Sequence, residues 1–438
     1  MESTTSLSSC CYIPPAHDDP PILRVMPEIL TSIFSWIRVA NGCRANGCCS
    51  GIPWILSQVC RRWRGIALSY PEIWSCIRIW GSRDRLETAL LRSRSYPLCI
   101  YYREGSDWNA QLWDVLLDHC DHWRTIEIHV STEEFVHRLP KPQRHTLTLL
   151  ERFHLRSEFQ VLWRREQFDE SVLDALATAP RLHDIFADHF RFPSLLHLPW
   201  SQLTKIYFHR GYPKDDINIL RKTPNLQQLY LSDHTYNLSL PAPIIHTSLR
   251  ELHAPEVTAL SCFTFPALKM LSTAMSPIKR NSPSQSPIVH EFIVRSRCTL
   301  REMDLMTVDM DQSFVDLLKD SPTVEVLRLS FKFSELPSAI DVFSKSLTYP
   351  EADKSIFNAL LPRLTSLRMN LTSLPIMVRS RWYVDPTRAT QLRRLTCYNC
   401  AIVSAVDAEL LRQIYGEGLQ LDISLEGGVT LIGSSFDD

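Results

Sequence analysis

The chain has 438 residues and a formal net charge of −1, with 45% hydrophobic and 22% charged residues. These values are ordinary for a soluble protein that buries a core, and the near-zero charge gives no general attraction to nucleic acid or acidic lipid. No uninterrupted apolar run approaches the roughly 20 residues that span a bilayer. Neither a nucleic acid nor a membrane is therefore expected as a partner.

Residues 1–21 lack a basic start and an apolar segment, so they predict a disordered tail and no secretory signal. The thirteen cysteines are an odd number without framework spacing, which is typical of reduced thiols in the cytosol or nucleus.

Residues 22–74 predict two amphipathic helices, the first beginning at Pro27, because proline at the first helical position loses no needed donor. One face of the first helix carries Ile29, Leu30, Ile33, Phe34 and Ile37, at steps of three and four. The second helix repeats that spacing up to Pro71, with Leu56, Val59, Cys60, Trp63, Ile66 and Ala67. A bundle of about fifty residues cannot bury so much apolar surface alone. Part of this surface is expected to face either a partner or the rest of the chain, as an N-terminal cap.

The run M-P-E-I-L-x-x-I-F, followed by L-S-x-V-C-R-x-W-R-x-I-A-L and P-x-x-W, resembles an F-box of the form common in fungal F-box proteins. The resemblance implies a helical domain over 22–80 that docks onto a Skp-type adaptor and through it a cullin, in a cullin–RING ubiquitin ligase. It departs from the family pattern in Met26, where leucine is usual, and in a long insert at 38–54. The positions expected to face the adaptor are Met26, Pro27, Leu30, Ile33, Phe34, Val59, Cys60 and Trp63.

After this segment the chain predicts a helix at 84–95, a strand at 97–104 and a helix at 109–120, and then a motif recurs. The motif is an apolar residue, two variable ones, an apolar one, one variable and a further apolar one. It occurs at Trp123-Ile126-Ile128, Leu150-Phe153-Leu155, Leu182-Ile185-Ala187, Leu203-Ile206-Phe208, Leu226-Leu229-Leu231, Leu249-Leu252-Ala254, Leu268-Leu271-Thr273, Leu300-Met303-Leu305, Val324-Leu327-Leu329, Leu364-Leu367-Met369 and Leu392-Leu395-Cys397.

The motif returns at steps of roughly 20–32 residues, with one of about 40, around the leucine-rich period. Helical stretches at 170–180, 215–224 and 312–322 lie between motifs. Each strand-plus-helix unit has an apolar edge that only a stacked neighbour can cover. The expected fold class is therefore α/β. The F-box-like bundle is followed over 84–438 by a solenoid of parallel strands and helices that resembles an irregular leucine-rich repeat region.

Two segments fall outside the motif. Residues 275–290 carry Ser-Pro pairs at Ser276, Ser282 and Ser286, which predicts a surface loop, with or without regulation by phosphorylation. Residues 419–433 alternate apolar and polar residues around Gly427-Gly428, which predicts a hairpin that closes the end of the solenoid.

Neighbouring strand residues alternate faces, so the residue between the last two apolar positions of each motif points away from the core. On aligned strands these residues would form one surface. Its composition fits a face that binds a target protein, and it equally fits a sheet face that is only in contact with solvent. They are Tyr207, Tyr230, His253, Ser272, Asp304, Arg328, Arg368 and Thr396, with Tyr398 one step on.

Cysteine and histidine groups favour structural roles over metal binding. Cys397 and Cys400 occupy repeat positions, and the cysteines at 43, 48, 49 and 60 have no histidine nearby. His119, Cys120 and His122 fit a polar helix end. No Walker, Rossmann, nucleophile-elbow or zincin run is present, so no catalytic residue, metal or cofactor is predicted.

These patterns predict a non-catalytic substrate receptor of a ubiquitin ligase, holding an adaptor with its N-terminal helices and an unidentified target protein with its repeats. The main alternative is a leucine-rich interaction scaffold with a degenerate F-box and no ligase role. A third hypothesis is a metal-dependent enzyme that uses the cysteines of the insert at 38–54.

Overall fold

The structure is a computed structural model, and its helices, strands and connections fall into two regions. It describes residues 21–40, 51–79, 82–103, 110–130, 140, 146–157, 174–187, 196–208, 212–237, 240–274, 285–308, 311–331, 343, 345–348, 360–369, 375–384, 389–400, 405–425 and 430–432. The predicted N-terminal tail, apart from Pro21, and most of the insert at 38–54 lie outside these residues.

The N-terminal region is a bundle of short helices. They are α1 (Pro21–Arg24), α2 (Pro27–Ala40), α3 (Ile52–Val59), α4 (Arg61–Ser69) and α5 (Pro71–Trp74). The predicted start of α2 at Pro27 is confirmed. The prediction of one continuous second helix is wrong, because Cys60 has an extended backbone (φ −158°, ψ 172°) and separates α3 from α4. Its sulfur accepts a hydrogen bond from the Trp63 backbone N–H at 3.4 Å and so caps α4.

The bundle has its own small core, formed by Leu30, Phe34, Leu56, Ala67, Ile73 and Trp74. The Trp74 indole is 1% exposed, and its Nε1–H donates to the Ala67 carbonyl at 2.7 Å. This bond satisfies the only polar atom of a buried ring. It fixes α5 against α4 immediately before the first strand of the second region.

The second region is a long, mostly parallel sheet with helices in its connections. Among the described residues, fifteen strands form this sheet in chain order, and β8 and β10 pair separately with each other. The strands are β1 (Cys76–Arg78), β2 (Leu98–Arg103), β3 (Trp123–Val130), β4 (Arg152–Ser157), β5 (Asp184–Ala187), β6 (Lys205–Phe208), β7 (Gln228–Tyr230), β8 (Ile244–Ile245), β9 (Glu251–Ala254), β10 (Phe263–Thr264), β11 (Met270–Ala274), β12 (Glu302–Val308), β13 (Val326–Phe331), β14 (Ser366–Met369), β15 (Arg394–Cys400), β16 (Gln420–Leu425) and β17 (Thr430–Ile432).

β1 lies inside the segment 22–80 that the sequence assigned to the helical domain. It pairs in parallel with β2, so the sheet begins directly after α5. At the other end, β16 and β17 pair antiparallel, which confirms the predicted hairpin; Gly427 and Gly428 lie outside the described residues.

The register of the sheet follows the repeated motif. The middle apolar residues are paired from strand to strand: Ile126, Phe153, Ile185, Ile206, Leu229, Leu252, Leu271, Met303, Leu327, Leu367 and Leu395. All three motif positions are buried in all eleven motifs. Parallel pairing stacks equivalent side chains, so each unit covers the apolar edge of the next.

Helices connect many of these strands. They are α6 (Arg83–Ser93), α7 (Ala110–Leu117), α8 (Asp174–Ala177), α9 (Pro213–Lys222), α10 (Ser286–Ser296), α11 (Gln312–Lys319), α12 (Pro375–Trp382) and α13 (Ala405–Gly416). The predicted helices at 84–95, 109–120, 215–224 and 312–322 are thus confirmed within a few residues. The predicted loop at 275–290 is wrong from Ser286 onward, because α10 begins there.

A buried carboxylate joins α9 to the segment after β7. Asp216 is 1% exposed, and its Oδ2 accepts hydrogen bonds from the Ser232 backbone N–H (3.1 Å), the Ser232 hydroxyl (2.8 Å) and the Tyr236 hydroxyl. Burial raises the pKa of Asp216 to about 6, against the donors, which lower it. Because its pKa is higher in the folded chain than in the unfolded chain, the carboxyl contributes most stability in acid, and this contribution falls as the pH rises through about 4 to 6.

We expect Tyr236→Phe to destabilise the protein more at pH 8 than at pH 5. Above pH 6 the substitution removes a donor from an ionised carboxylate, which costs about 1–2 kcal/mol more than removing it from the neutral acid. Urea unfolding of the wild-type and variant chains at both pH values measures this difference. Tyr415→Phe, at an exposed tyrosine of α13, is the control. An equal loss of stability at both pH values would contradict the assigned role of the Tyr236 hydroxyl.

Candidate functional surfaces

The outer side of α2 is apolar although its inner side already fills the bundle core. Leu30 and Phe34 are fully buried, whereas Met26 is 55% exposed, Trp36 is 72% exposed and Ile29 is also exposed. Ile33 is half-buried between these two sets. Positions 26, 29, 33 and 36 are separated by three, four and three residues, so they share one helix face.

A second exposed apolar pair lies on α3. Ile55 is 64% exposed and Val59 is 56% exposed, and their spacing of four residues places them side by side. Leu56, between them in sequence, belongs to the bundle core. We call Met26, Ile29, Trp36, Ile55 and Val59 together the outer apolar surface. On each of the two helices, neighbouring apolar side chains are exposed together, and contiguous exposed apolar patches are typical of protein interaction sites.

The expected adaptor-facing residues do not all lie on this surface. Met26 and Val59 do, and Pro27 is exposed at the first position of α2. For Leu30 and Phe34 the expectation is corrected, because both are 0% exposed in the core of the bundle.

Cys60 and Trp63 contribute to the bundle itself. Cys60 caps α4, and the half-buried Trp63 ring packs on Phe34 with ring centroids 5.1 Å apart. Ile29 was predicted on the same helix face as Leu30 and Phe34, and Trp36 and Ile55 were not predicted. The sequence carries a signal for them: a second set of apolar residues at three- and four-residue steps, interleaved with the first set.

The helical bundle is tied to the sheet by aromatic and cationic contacts. The Arg92 guanidinium of α6 lies 4.5 Å from the centroid of Trp74 and 5.8 Å from that of Trp54. The Arg85 guanidinium lies 5.8 Å from the Trp54 ring. Cation–π contacts of this kind contribute about 0.5–2 kcal/mol each, depending on their desolvation. They join α3 and α5 of the bundle to α6, the helix between β1 and β2.

On the sheet, the predicted target-facing residues form one continuous row. Neighbouring strands pair Tyr207 with Tyr230, Tyr230 with His253, His253 with Ser272, Ser272 with Asp304, Asp304 with Arg328, Arg328 with Arg368, and Arg368 with Thr396. Each of these side chains is at least partly exposed. The predicted alignment is therefore confirmed, whereas binding of a target remains a prediction. Tyr398 lies in β15, but its side chain is outside what the structure describes.

The row extends further towards the N-terminus than the sequence prediction. His154, Phe186 and Tyr207 are consecutive register partners on β4, β5 and β6, and Glu127 precedes them on β3. The rule that selected Tyr207 also selects these three residues in the preceding motifs. The predicted target-facing residues did not include Glu127, His154 and Phe186, although the same strand alternation is the signal that identifies them.

Five rings of this row contact one another, and we call His154, Phe186, Tyr207, Tyr230 and His253 the aromatic row. Phe186 stacks on Tyr207 (centroids 4.1 Å apart, planes at 5°), and Tyr230 stacks on His253 (3.9 Å, 1°). Tyr207 meets Tyr230 edge to face at 4.7 Å, and His154 lies 5.6 Å from Phe186. Such ring pairs contribute about 0.5–1.5 kcal/mol each beyond the area they bury.

The aromatic row carries little net charge. Burial lowers the pKa of His253 to about 4, with a smaller effect from Lys205, so this imidazole is neutral at physiological pH. Burial and Glu251 raise the pKa of Tyr230, which keeps its hydroxyl protonated. His154 Nε2 lies 3.3 Å from Asp184 Oδ1, and this contact lowers the pKa of Asp184 although burial raises it.

Charged pairs lie on both sides of the aromatic row along the sheet. Towards the N-terminus, Glu127 lies 3.0 Å from His129 and 3.1 Å from Arg156, and these contacts lower its pKa against the effect of burial. Towards the C-terminus, Arg328 pairs with Glu302 at 3.3 Å. Burial raises the pKa of Asp304, and Arg328 and Arg368 partly offset that rise.

The candidate metal ligands that lie among the described residues do not come together as a site. Cys397 is a buried core residue, and burial raises the pKa of the Cys120 thiol to about 11, which disfavours the thiolate that a metal needs. Cys43, Cys48 and Cys49 lie outside the described residues. Among the residues that the structure describes, no group of three histidine, cysteine or acidic side chains has metal-binding geometry. In the same part of the chain, no helix is both long enough and apolar enough to cross a bilayer.

Comparison of the sequence with protein-family models gives no match, and neither does comparison with curated proteins. The function is therefore inferred from the two surfaces themselves.

Proposed function

We propose that this chain is a non-catalytic substrate receptor of a cullin–RING ubiquitin ligase. Its F-box-like bundle binds a Skp-type adaptor, and through it a cullin. Its repeat sheet, an irregular leucine-rich solenoid, binds the target protein. The receptor performs no covalent step. It raises the effective concentration of the target beside the transfer machinery.

One observation carries the adaptor half of the proposal: α2 and α3 retain an apolar surface after the bundle has filled its own core. Met26, Trp36, Ile55 and Val59 are each more than half exposed. In a monomer this exposure leaves apolar area in water, at a cost of about 25 cal/mol per Å². The F-box-like residue pattern of the same helices suggests which partner covers the surface.

The proposal that the repeat sheet binds a target protein is supported by the side chains on the exposed face of the sheet. Tyrosine and arginine are enriched in interaction hot spots. The row supplies Tyr207, Tyr230, Arg328 and Arg368 on strands whose opposite side is packed into the core. Because the sheet begins directly after the last helix of the bundle, a target on this face would lie at a set distance from an adaptor on the bundle.

The test is to mix the purified full chain with a purified Skp-type adaptor and to measure complex formation by size-exclusion chromatography and calorimetry. We expect a one-to-one complex that also recruits a cullin N-terminal segment. A chain that is folded by circular dichroism but forms no complex would refute the ligase role. It would leave the alternative of an interaction scaffold with a degenerate F-box.

A further inference from the structure

Two cysteines lie opposite each other where the helical bundle meets the sheet. Cys76 is the first residue of β1, and Cys99 is its register partner on β2. Both sulfurs are thiols in the structure. Neither residue belongs to the repeated motif, which begins at Trp123, so the alignment of the repeats does not account for this pairing.

The two cysteine side chains lie on the same face of the sheet. Ile77 and Ile100, one residue further along each strand, are register partners in the core. Because strand side chains alternate between faces, both cysteines point to the opposite face. The next pair on that face is in contact, since the Arg78 guanidinium lies 5.2 Å from the centroid of the Tyr101 ring. Side chains of register partners therefore reach one another across β1 and β2.

The spacing of the two strands suits a disulfide. Register partners on neighbouring strands lie about 4.8 Å apart, within the range of about 4.4–6.8 Å between the Cα atoms of a disulfide. The Cβ atoms of a disulfide are about 3.5–4.5 Å apart, so closing the bond requires a shift of less than about 1 Å. β1 can make this shift, because it has three residues and lies at the edge of the sheet, where it pairs only with β2.

Cys99 is the thiol that an oxidant meets first. It is partly exposed, whereas Cys76 is 7% exposed. Glu151 and, more weakly, Cys99 raise the pKa of the Arg124 guanidinium, against the effect of burial. The Cys99 sulfur therefore has a cation within electrostatic reach, shared with Glu151, and a neighbouring cation favours the reactive thiolate.

We propose that Cys76 and Cys99 form a reversible disulfide in the presence of hydrogen peroxide, and that this bond fastens β1 to β2. The Cys99 thiolate attacks one peroxide oxygen, the O–O bond breaks, and the other oxygen leaves as water after taking up a proton. Cys99 is then a sulfenic acid. The Cys76 sulfur attacks the Cys99 sulfur, loses its proton and displaces a second water. Two thiols are oxidised to one disulfide while one peroxide is reduced to two waters.

The bond would act on the connection between the bundle and the sheet. Ser75 alone separates α5 from β1, and its carbonyl accepts a hydrogen bond from the Cys99 backbone N–H at 2.8 Å. A disulfide between residues 76 and 99 closes a loop that contains α6 and so restricts the opening of β1. In a reducing compartment such bonds are typically transient and redox-sensing. The inference does not depend on the proposed function.

The first test treats the full chain with hydrogen peroxide, blocks the remaining thiols and digests the chain with trypsin without reduction. Arg94 is a cleavage site between the two cysteines. We expect mass spectrometry to find the Cys76 peptide joined to the Cys99 peptide, and reduced glutathione to separate them. Cys99 recovered as a sulfinic acid, or joined to another cysteine while Cys76 stays a thiol, would overturn the proposal.

The second test measures hydrogen exchange of the oxidised chain and of the same chain after reduction. Amides of β1 are expected to exchange about tenfold more slowly when oxidised. Cys99→Ser should remove this difference. Cys298→Ser is the control and should keep it, because Cys298 is also a partly exposed thiol but burial raises its pKa to about 11. Equal exchange of β1 in the oxidised and reduced wild-type chains would show that the bond does not fasten the strand.

Discussion

Aspartate at Ile55 or Val59 is expected to abolish adaptor binding and to leave the fold intact. Both side chains are more than half exposed on the outer side of α3, so the new carboxylate remains in water in the free chain. In a complex it would be buried without a partner charge, which costs about 3 kcal/mol or more. We therefore expect an affinity loss of at least a hundredfold, measured by calorimetry with the full chain.

Leu91→Asp is the matched control, since Leu91 is 79% exposed on α6, outside the helical bundle. It should bind the adaptor as the wild-type chain does. Trp63→Ala is less informative, because Trp63 packs on Phe34 and its loss would also loosen the bundle. If Ile55→Asp and Val59→Asp keep wild-type affinity and wild-type unfolding curves, α3 is not the docking surface.

Replacing Arg381 by methionine is expected to lower the free energy of unfolding by about 3–5 kcal/mol. Arg381 is 0% exposed, and its guanidinium donates to three main-chain carbonyls: Leu347 (2.8 Å), Leu361 (3.2 Å) and Leu360 (2.5 Å). Methionine replaces only the aliphatic part of the arginine side chain and has no donor, so these buried carbonyls would lose their charged partner. Leu361 also has a positive φ of 51°, a conformation that a leucine rarely adopts and that these bonds help to hold.

Urea unfolding measures this loss, and Arg379→Met is the control because Arg379 is exposed on the same helix. Hydrogen exchange should locate the effect: amides of β14, which follows Leu361, are expected to exchange faster in the Arg381 variant. Equal stability of the two variants would show that the three carbonyls do not depend on the guanidinium.

The sheet was predictable because the repeated apolar residues determine both which residues pair between strands and which side chains are buried. Only one arrangement of parallel strands buries Ile206, Leu229 and Leu252 together, and that arrangement also aligns Tyr207, Tyr230 and His253 on the other face. The row followed from the alternation of a strand. The stacking of its rings did not, because ring angles depend on packing between side chains of different repeats.

The bundle was less predictable because α2 carries two interleaved apolar stripes. Steps of three and four residues occur both for 30, 34 and 37 and for 26, 29, 33 and 36, so the spacing does not tell which stripe faces inward. Packing of α4 and α5 decides it. The break at Cys60 was missed because cysteine is not among the usual capping residues, and the apolar spacing continues across it.

The Ser-Pro pairs were misleading for a local reason. Pro287 lies in the first turn of α10, where proline is well tolerated, so the pair at Ser286 starts a helix. Ser286 is 0% exposed and is therefore not an accessible phosphorylation site in the folded chain. Ser276 and Ser282 lie outside the described residues.

The most direct test of the account is hydrogen–deuterium exchange of the full chain with and without a Skp-type adaptor. We expect the adaptor to protect peptides covering residues 26–36 and 52–64, and to leave the exchange of strands β4 to β16 unchanged. Protection confined to the sheet, or no protection at saturating adaptor, would contradict the proposal that the outer apolar surface of α2 and α3 is the docking site.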